Sequence, residues 1–293
     1  MNSQKRLVLA GGLFALVALI SLEARSPGQD DPPLQVGMMA SLFDESDEKT
    51  IFAQMQPFVD LVRKQTGLVG EFSVVKTPDK LAVDLKAGRL SMGVVLGLDY
   101  AWLRESCPEA VPVLIAVNET PTVRACVLVP QDSPAKSFAD LKGKTLAMPS
   151  KAPRFTKFYL ERDAKQDLGK FFTIKEQSNT DAAIEAVVEH EADATVVTST
   201  ALEVYRDRKP GRFKRLKVLQ QSIDFPTGAT IYIPGKAKEE VVKKFRDSML
   251  TAHETREGRQ TLTLWKLTGF QLPPKDFLQQ VDELGKKYPR EGK

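Results

Sequence analysis

Residues Asp140–Lys157 read DLKGKTLAMPSKAPRFTK, and the order of residue types in this stretch decides the fold. Lys142 and Gly143 close the preceding segment. Thr145-Leu146-Ala147-Met148 is a short apolar run bounded by turn residues, the pattern of a buried parallel strand. Pro149-Ser150-Lys151-Ala152-Pro153-Arg154 follows as a polar loop. Pro153 suits the first position of the next helix, where its missing N–H costs nothing. A strand that runs into a helix N-terminus presents free N–H groups and the positive end of a helix dipole. With Lys151 and Arg154 beside Ser150, the loop is a candidate cradle for an anion. The same residues also suit a solvated basic loop.

The pattern around this stretch occurs twice. Upstream, Leu34–Met39 is a strand followed by a polar turn, Ala40–Asp44. A helix then runs to about Thr66, with Ile51, Met55, Phe58, Val59 and Val62 on one face and Pro57 expected to kink it. Residues 71–76 form a second strand and Thr77 caps a short helix over 80–87. Residues 91–96 form a third strand, with Gly97–Tyr100 as the loop after it. Downstream of Asp140 the sequence predicts a helix over 153–165, a strand over 171–177 and a helix over 181–191 capped by Asn179 or Thr180. A strand over 194–197 follows, and Thr198 opens another helix. Each βαβαβ run requires a mostly parallel sheet, and such sheets bind ligands beyond the carboxyl ends of their strands. Residues 111–117 and 122–130 are expected to pair as antiparallel strands across the turn 118–121. Strands over 216–221 and 229–234 and helices over 238–253, 257–267 and 275–285 complete the chain. The fold class is α/β with two lobes, each a mostly parallel sheet flanked by helices. Residues 34–127 begin lobe one, 128–221 form lobe two, and 222–293 return to lobe one and add the C-terminal helices.

The chain has 293 residues and a formal net charge of +4. Its basic residues are scattered among acids, with no aromatic stripe, so nucleic acid is not an expected partner. Residues 1–28 have a basic start, an apolar run over Leu7–Leu22 and small residues after it, the outline of a secretory signal peptide. Residues 29–33 are a polar linker. Both cysteines, Cys107 and Cys126, fall after this segment, and their spacing matches no zinc or redox motif. A single disulfide and two free thiols both remain open, with the free thiols favoured. No enzyme signature stands out. Gly143-Lys144-Thr145 has the end of a phosphate loop, but it precedes a strand and lacks the earlier glycine. His190 and His253 lie in charged stretches without partner motifs. No cofactor is expected.

Four segments resemble the phosphate/phosphite/phosphonate-binding family of periplasmic substrate-binding proteins of ABC importers. They are FVDLVRKQTG (Phe58–Gly67), ADLKGKTLAMPS (Ala139–Ser150), ADATVVTSTALEVY (Ala192–Tyr205) and GRQTLTLWKLTGFQLPPKDF (Gly258–Phe277). The resemblance implies two lobes that close on a small oxyanion about a hinge of two β-crossings, with a membrane permease as partner and a monomeric, extracytoplasmic protein. It implies that second-lobe helix N-termini and hydroxyls hold the ligand, here Ser150 with Lys151 and Arg154, and Thr198 with Ser199. Tyr100 and Phe43 fall near aromatic positions of the family in lobe one. Ser41, in the loop after the first strand, is a further candidate, with helix capping its plainer role. The chain departs from the family where phosphonate binders carry a run of Ser and Thr hydroxyls, which here is Ser150-Lys151-Ala152-Pro153-Arg154. It departs again where they carry an acid, which here is Thr198-Ser199. Cations in place of hydroxyls favour a more highly charged anion, such as an organophosphate or a carboxylate-bearing compound, over an aminophosphonate. The same fold also serves an alternative role, an extracytoplasmic sensor or adaptor that signals to a membrane protein.

Overall fold

The computed structural model describes residues 33–43, 48–118, 120–150, 152–265 and 267–290. The expected export segment, all but the last residue of the linker, and Lys151 lie outside the described residues.

Lobe one begins with β1 (Leu34–Met39), α1 (Glu48–Thr66), β2 (Gly70–Val75), α2 (Pro78–Lys86), β3 (Met92–Val95), α3 (Gly97–Ser106) and β4 (Val111–Val117). β1 lies between β2 and β3 and is parallel to both. Its residues alternate between two helical layers, as a strand buried on both faces requires. Met38 packs in a cluster with Ile51 and Met55 of α1, while Met39 joins Leu81 and Leu85 of α2. Thr77 caps α2 as its sequence predicts, accepting from the Lys80 N–H.

The chain then leaves the first sheet through β5 (Thr122–Val123) and β6 (Ala125–Pro130). The antiparallel pair expected between residues 111–117 and 122–130 does not form. β4 pairs with strands of the first sheet, and β6 takes an interior place in the second. Every residue of β6 is buried. A run apolar on both faces fills the middle of a sheet, and each of these two runs fills its own.

Lobe two continues with β7 (Thr145–Pro149), α4 (Arg154–Ala164), α5 (Leu168–Phe171), β8 (Thr173–Gln177), α6 (Thr180–Val188), β9 (Ala194–Thr198), α7 (Ser199–Arg208), α8 (Pro210–Phe213) and β10 (Leu216–Gln221). β7 is flanked in parallel by β8 and β9, the arrangement β1 has in lobe one. The sheet order is β10-β6-β9-β7-β8.

The return runs through β11 (Phe225–Pro226), which pairs antiparallel with β5. These two short strands form the double crossing. Arg124 spans it to Asp224 with a two-pronged contact at 2.7 and 3.1 Å. β12 (Ala229–Tyr232) inserts antiparallel between β3 and β4. α9 (Glu239–Leu250), α10 (Arg256–Leu264), β13 (Gly269–Gln271) and α11 (Phe277–Lys287) close the fold. β13 was not foreseen, because Gly269-Phe270 reads as a divider between helices; its pairing with β4 supplies the order. Both cysteines are free and buried.

The lobes meet along an aromatic seam. Phe158 of α4 packs edge-on against Trp102 of α3 at 5.4 Å, and Phe155 lies 4.6 Å from Phe225 in the crossing. The Trp102 indole donates to the Tyr288 carbonyl at 2.9 Å, and the Arg162 guanidinium covers the Tyr288 ring. One buried cluster therefore includes Trp102, Tyr159, Phe225 and Tyr288 together.

Candidate functional site: two helix starts across the lobes

In lobe two, the parallel strands β7, β8 and β9 end on the same edge. The register Ala147↔Thr195 brings Ser150 beside Thr198 when extended to the strand ends, on neighbouring strands about 4.8 Å apart. Each hydroxyl there has a structural task. Ser150 Oγ donates to the Ser178 carbonyl at 3.1 Å, so its proton is engaged. Thr198 Oγ1 accepts the Ala201 N–H as the cap of α7, and Ser199 Oγ accepts the Arg124 N–H at 3.1 Å. These two oxygens act as acceptors, and their protons stay available to a ligand. Asn179 caps α6 through the Ala182 N–H, as its position predicts.

α4 differs from α6 and α7. Its N-cap is Pro153, which offers no side-chain cap, so the N–H groups of Arg154 and Phe155 stay open, while that of Thr156 bonds to the Pro153 carbonyl at 2.9 Å. Pro153 itself stands one position before the helix rather than inside it. Arg154 begins the helix and is exposed. Its guanidinium carbon lies 5.5 Å from the centre of the Trp102 ring and 5.1 Å from that of Phe158. Stacking of this kind holds a guanidinium in place while its in-plane N–H donors stay free. Among the described residues no carboxylate forms a direct ion pair with Arg154, although its charge reaches Asp99 of lobe one.

In lobe one, α3 starts at the carboxyl end of β3, and its N-cap Leu96 likewise offers no side-chain cap. Asp99 stands in its first turn, where the helix dipole favours a negative charge. It is 3% exposed and accepts a hydrogen bond from the Ser41 hydroxyl of the β1 loop. Burial pushes its carboxyl above the ordinary range, while the Ser41 hydrogen bond and the Arg154 charge act the other way. Ser41 thus lies at the start of α3, where its hydroxyl is engaged by Asp99.

Tyr100 and Phe43 do not face the cleft. Tyr100 is fully buried, its hydroxyl donates to the Ala110 carbonyl at 2.8 Å, and its ring stacks on Phe277. Phe43 packs edge-on against Trp265 at 5.8 Å in the lobe-one core. The cause is helical register. Gly97–Tyr100 is the first turn of α3 and not a loop, so Asp99 and Trp102, three apart, share the face toward lobe two, and Tyr100 turns toward α11. Asp99 is the residue that the sequence reading missed. Its signal is an acid placed third in a helix that follows a buried strand.

A profile of the family described as ABC transporter, phosphonate, periplasmic substrate-binding protein matches residues 42–276. The chain belongs to this family. As a member, this phosphonate-family binding protein is a substrate-binding component of ABC transport and not an enzyme, acts outside the cytoplasm, and has a small ligand and a membrane permease as partners. Among the described residues no helix is long and apolar enough to cross a membrane.

Solved structures share the two-lobed fold. XAC2383 from Xanthomonas citri bound to ATP aligns with a TM-score of 0.61 at 17% identity, covering 88% of this chain and 97% of that one. PhnD1 from Prochlorococcus marinus (MIT 9301) in complex with methylphosphonate aligns at 0.58 and 15%, covering 87% and 97%. A binding protein component of an ABC phosphonate transporter (PA3383) from Pseudomonas aeruginosa aligns at 0.55 and 16%, covering 87% and 86%. At these identities the likeness is one of fold. No curated protein sequence matches this chain.

Proposed function

We propose that this family member captures a small phosphorus-type oxyanion between the starts of α4 and α3. Arg154 carries the reading: an exposed guanidinium, stacked on Trp102 and Phe158 and without a direct ion pair to a carboxylate among the described residues, at an uncapped helix N-terminus. Its N–H donors and the open backbone N–H groups of α4 bind the anionic oxygens. Thr198 at the end of β9 and Ser199 at the start of α7 add hydroxyl donors. Across the cleft, Asp99 meets a ligand atom that bears a proton, either an acidic P–OH or an ammonium group. The acid that the family places in lobe two is here supplied from lobe one, which restores singly protonated phosphonates, organophosphates and aminophosphonates as ligands. Residues 1–28 direct export, and the protein works as a monomer.

A thermal-shift screen of phosphate, phosphite, methylphosphonate, aminoethylphosphonate, organophosphates, sulfate and small carboxylates tests the reading. A ligand at 100 times its dissociation constant adds about 2.7 kcal/mol, or roughly 5–10 °C for a chain of this size. Arg154→Ala should weaken the best ligand at least ~10-fold, since a charge-assisted hydrogen bond contributes about 1.5–3 kcal/mol. Unchanged affinity in Arg154→Ala removes the assignment. A blank screen moves the role to sensing or adaptor contacts with a membrane protein.

A further inference from the structure

Lobe one contains a cavity of about 290 Å³ that lies behind the anion site, with Leu42 and Leu96 lining the end nearest α3. It lies between one face of the first sheet and α1. Leu34, Val36 and Met38, alternate residues of β1, line it in a row. At about 3.3 Å per strand residue this row is roughly 13 Å long, so the space is elongated. Met55, Phe58 and Val62 of α1 wall the opposite side. The lining is almost wholly apolar. Glu71 lies at the β2 margin, where Gln35 donates to it at 2.7 Å.

Two further observations point to an occupant. Native cores pack to crystal density, and a partly open apolar cleft of this size inside a lobe leaves its lining short of packing partners until something fills it. Trp265 also lines the cavity, and its indole N–H is buried without a hydrogen-bond partner. Buried polar groups of this kind are almost always paired. The margin is apolar as well: Phe72 on the edge strand β2 stacks on Phe52 of α1 at 4.6 Å, and Phe52 is 48% exposed.

We propose that lobe one holds a second binding site, for a free medium-chain amphiphile. A dry apolar cavity of about 150 Å³ accepts benzene, so this one holds a body of about ten to twelve carbons. Its length selects a chain over a compact ring system. An oxygen of the ligand's head group accepts from Trp265. The proposal does not rest on the anion site, since neither Arg154 nor Asp99 lines the cavity.

The test is calorimetric titration of the protein with 1-decanol and with decanoate. Saturable binding at one site per chain is expected for at least one of the two. Val59→Phe places a ring in the cavity and should weaken that binding at least tenfold without lowering the melting temperature. Trp265→Phe should weaken it several-fold at unchanged stoichiometry. Absence of saturable heat with either probe overturns the proposal, as does equal affinity in folded Val59→Phe. Should Val59→Phe not fold, Val36→Phe repeats the test from the sheet side.

Discussion

Gly97→Ala is the sharpest single perturbation of the framework that carries the anion site. Gly97 opens α3 beneath the double crossing. A Cβ added there falls 3.0 Å from both Cβ and Cδ of Pro226, and closer still to the Pro226 carbonyl oxygen. Neither neighbour is a flexible side-chain end. Pro226 is held in β11 by pairing with Thr122, and the next N–H, on Thr227, donates to the Pro121 carbonyl at 3.1 Å. Either α3 or the crossing must shift by several tenths of an ångström. Overpacking of this kind costs about 1–3 kcal/mol. Alanine's helix propensity offsets at most about 1 kcal/mol of that, and less in the first turn. About 1–2.5 kcal/mol then remains, and with roughly 2–4 °C per kcal/mol for a chain of this size, calorimetry should record a fall of about 2–10 °C. Gly211→Ala is the matched control, since nothing lies within 4 Å of its added Cβ, and it should stay within about 2 °C of the parent. Because α3 also carries Asp99 and Trp102, anion affinity should drop in Gly97→Ala and hold in Gly211→Ala. Identical melting and binding in the two variants would refute the close-approach argument.

Asp99 makes a pH-dependent contribution of defined sign. Burial raises its folded pKa above the unfolded value, so its stabilising contribution is complete below the unfolded pKa and is lost as pH rises through the folded one. Asp99→Asn should flatten the fall of melting temperature with rising pH in the weakly acidic range, and the parent's affinity for a ligand bearing a P–OH or ammonium group should rise across the same range, as the ionised carboxylate becomes the stronger acceptor. Equal slopes in parent and variant would remove Asp99 from the site. For the thiols, burial raises both, Cys126 to about 11. A disulfide-exchange reagent at mildly alkaline pH should therefore label the native protein slowly and both thiols rapidly once it is unfolded in denaturant; fast labelling of native protein contradicts the burial.

Local chemistry made much of the fold readable. Thr145–Met148 declared itself a strand because turn residues bound an apolar run, and Asn179 and Thr77 declared themselves caps because their side chains compete for backbone N–H groups. The misplaced pairing of β4 with β6 shows where local reading stops. A four-residue link fits a hairpin, and only the burial of both faces separates a hairpin from a passage between two sheets. The candidate site divides in the same way. Arg154 and Thr198 were legible from their positions at strand ends. Tyr100 and Asp99 are adjacent in sequence, and which of them meets the cleft depends on where α3 starts, a boundary fixed by Gly97 against Pro226. The stacking of Arg154 on Trp102 arises only when the lobes meet, and no spacing in the chain encodes it.

The place of β12 in the first sheet has a consequence for how the protein is made. β12 is an interior strand between β3 and β4, yet its residues follow the whole of lobe two. Synthesis proceeds from the N-terminus, so the second sheet has all five of its strands once β10 emerges. At that moment β3 still presents a bare row of N–H and C=O groups to its surroundings. Unpaired edges of this kind recruit strands from other chains, and pairing over such a sequence separation is slow. The lobe begun first is finished last. Met92–Val95 then has β1 on one side only, and Val111–Val117, whose two partners β12 and β13 both come later, has a neighbour on neither side and is the segment of a nascent chain that most needs shielding.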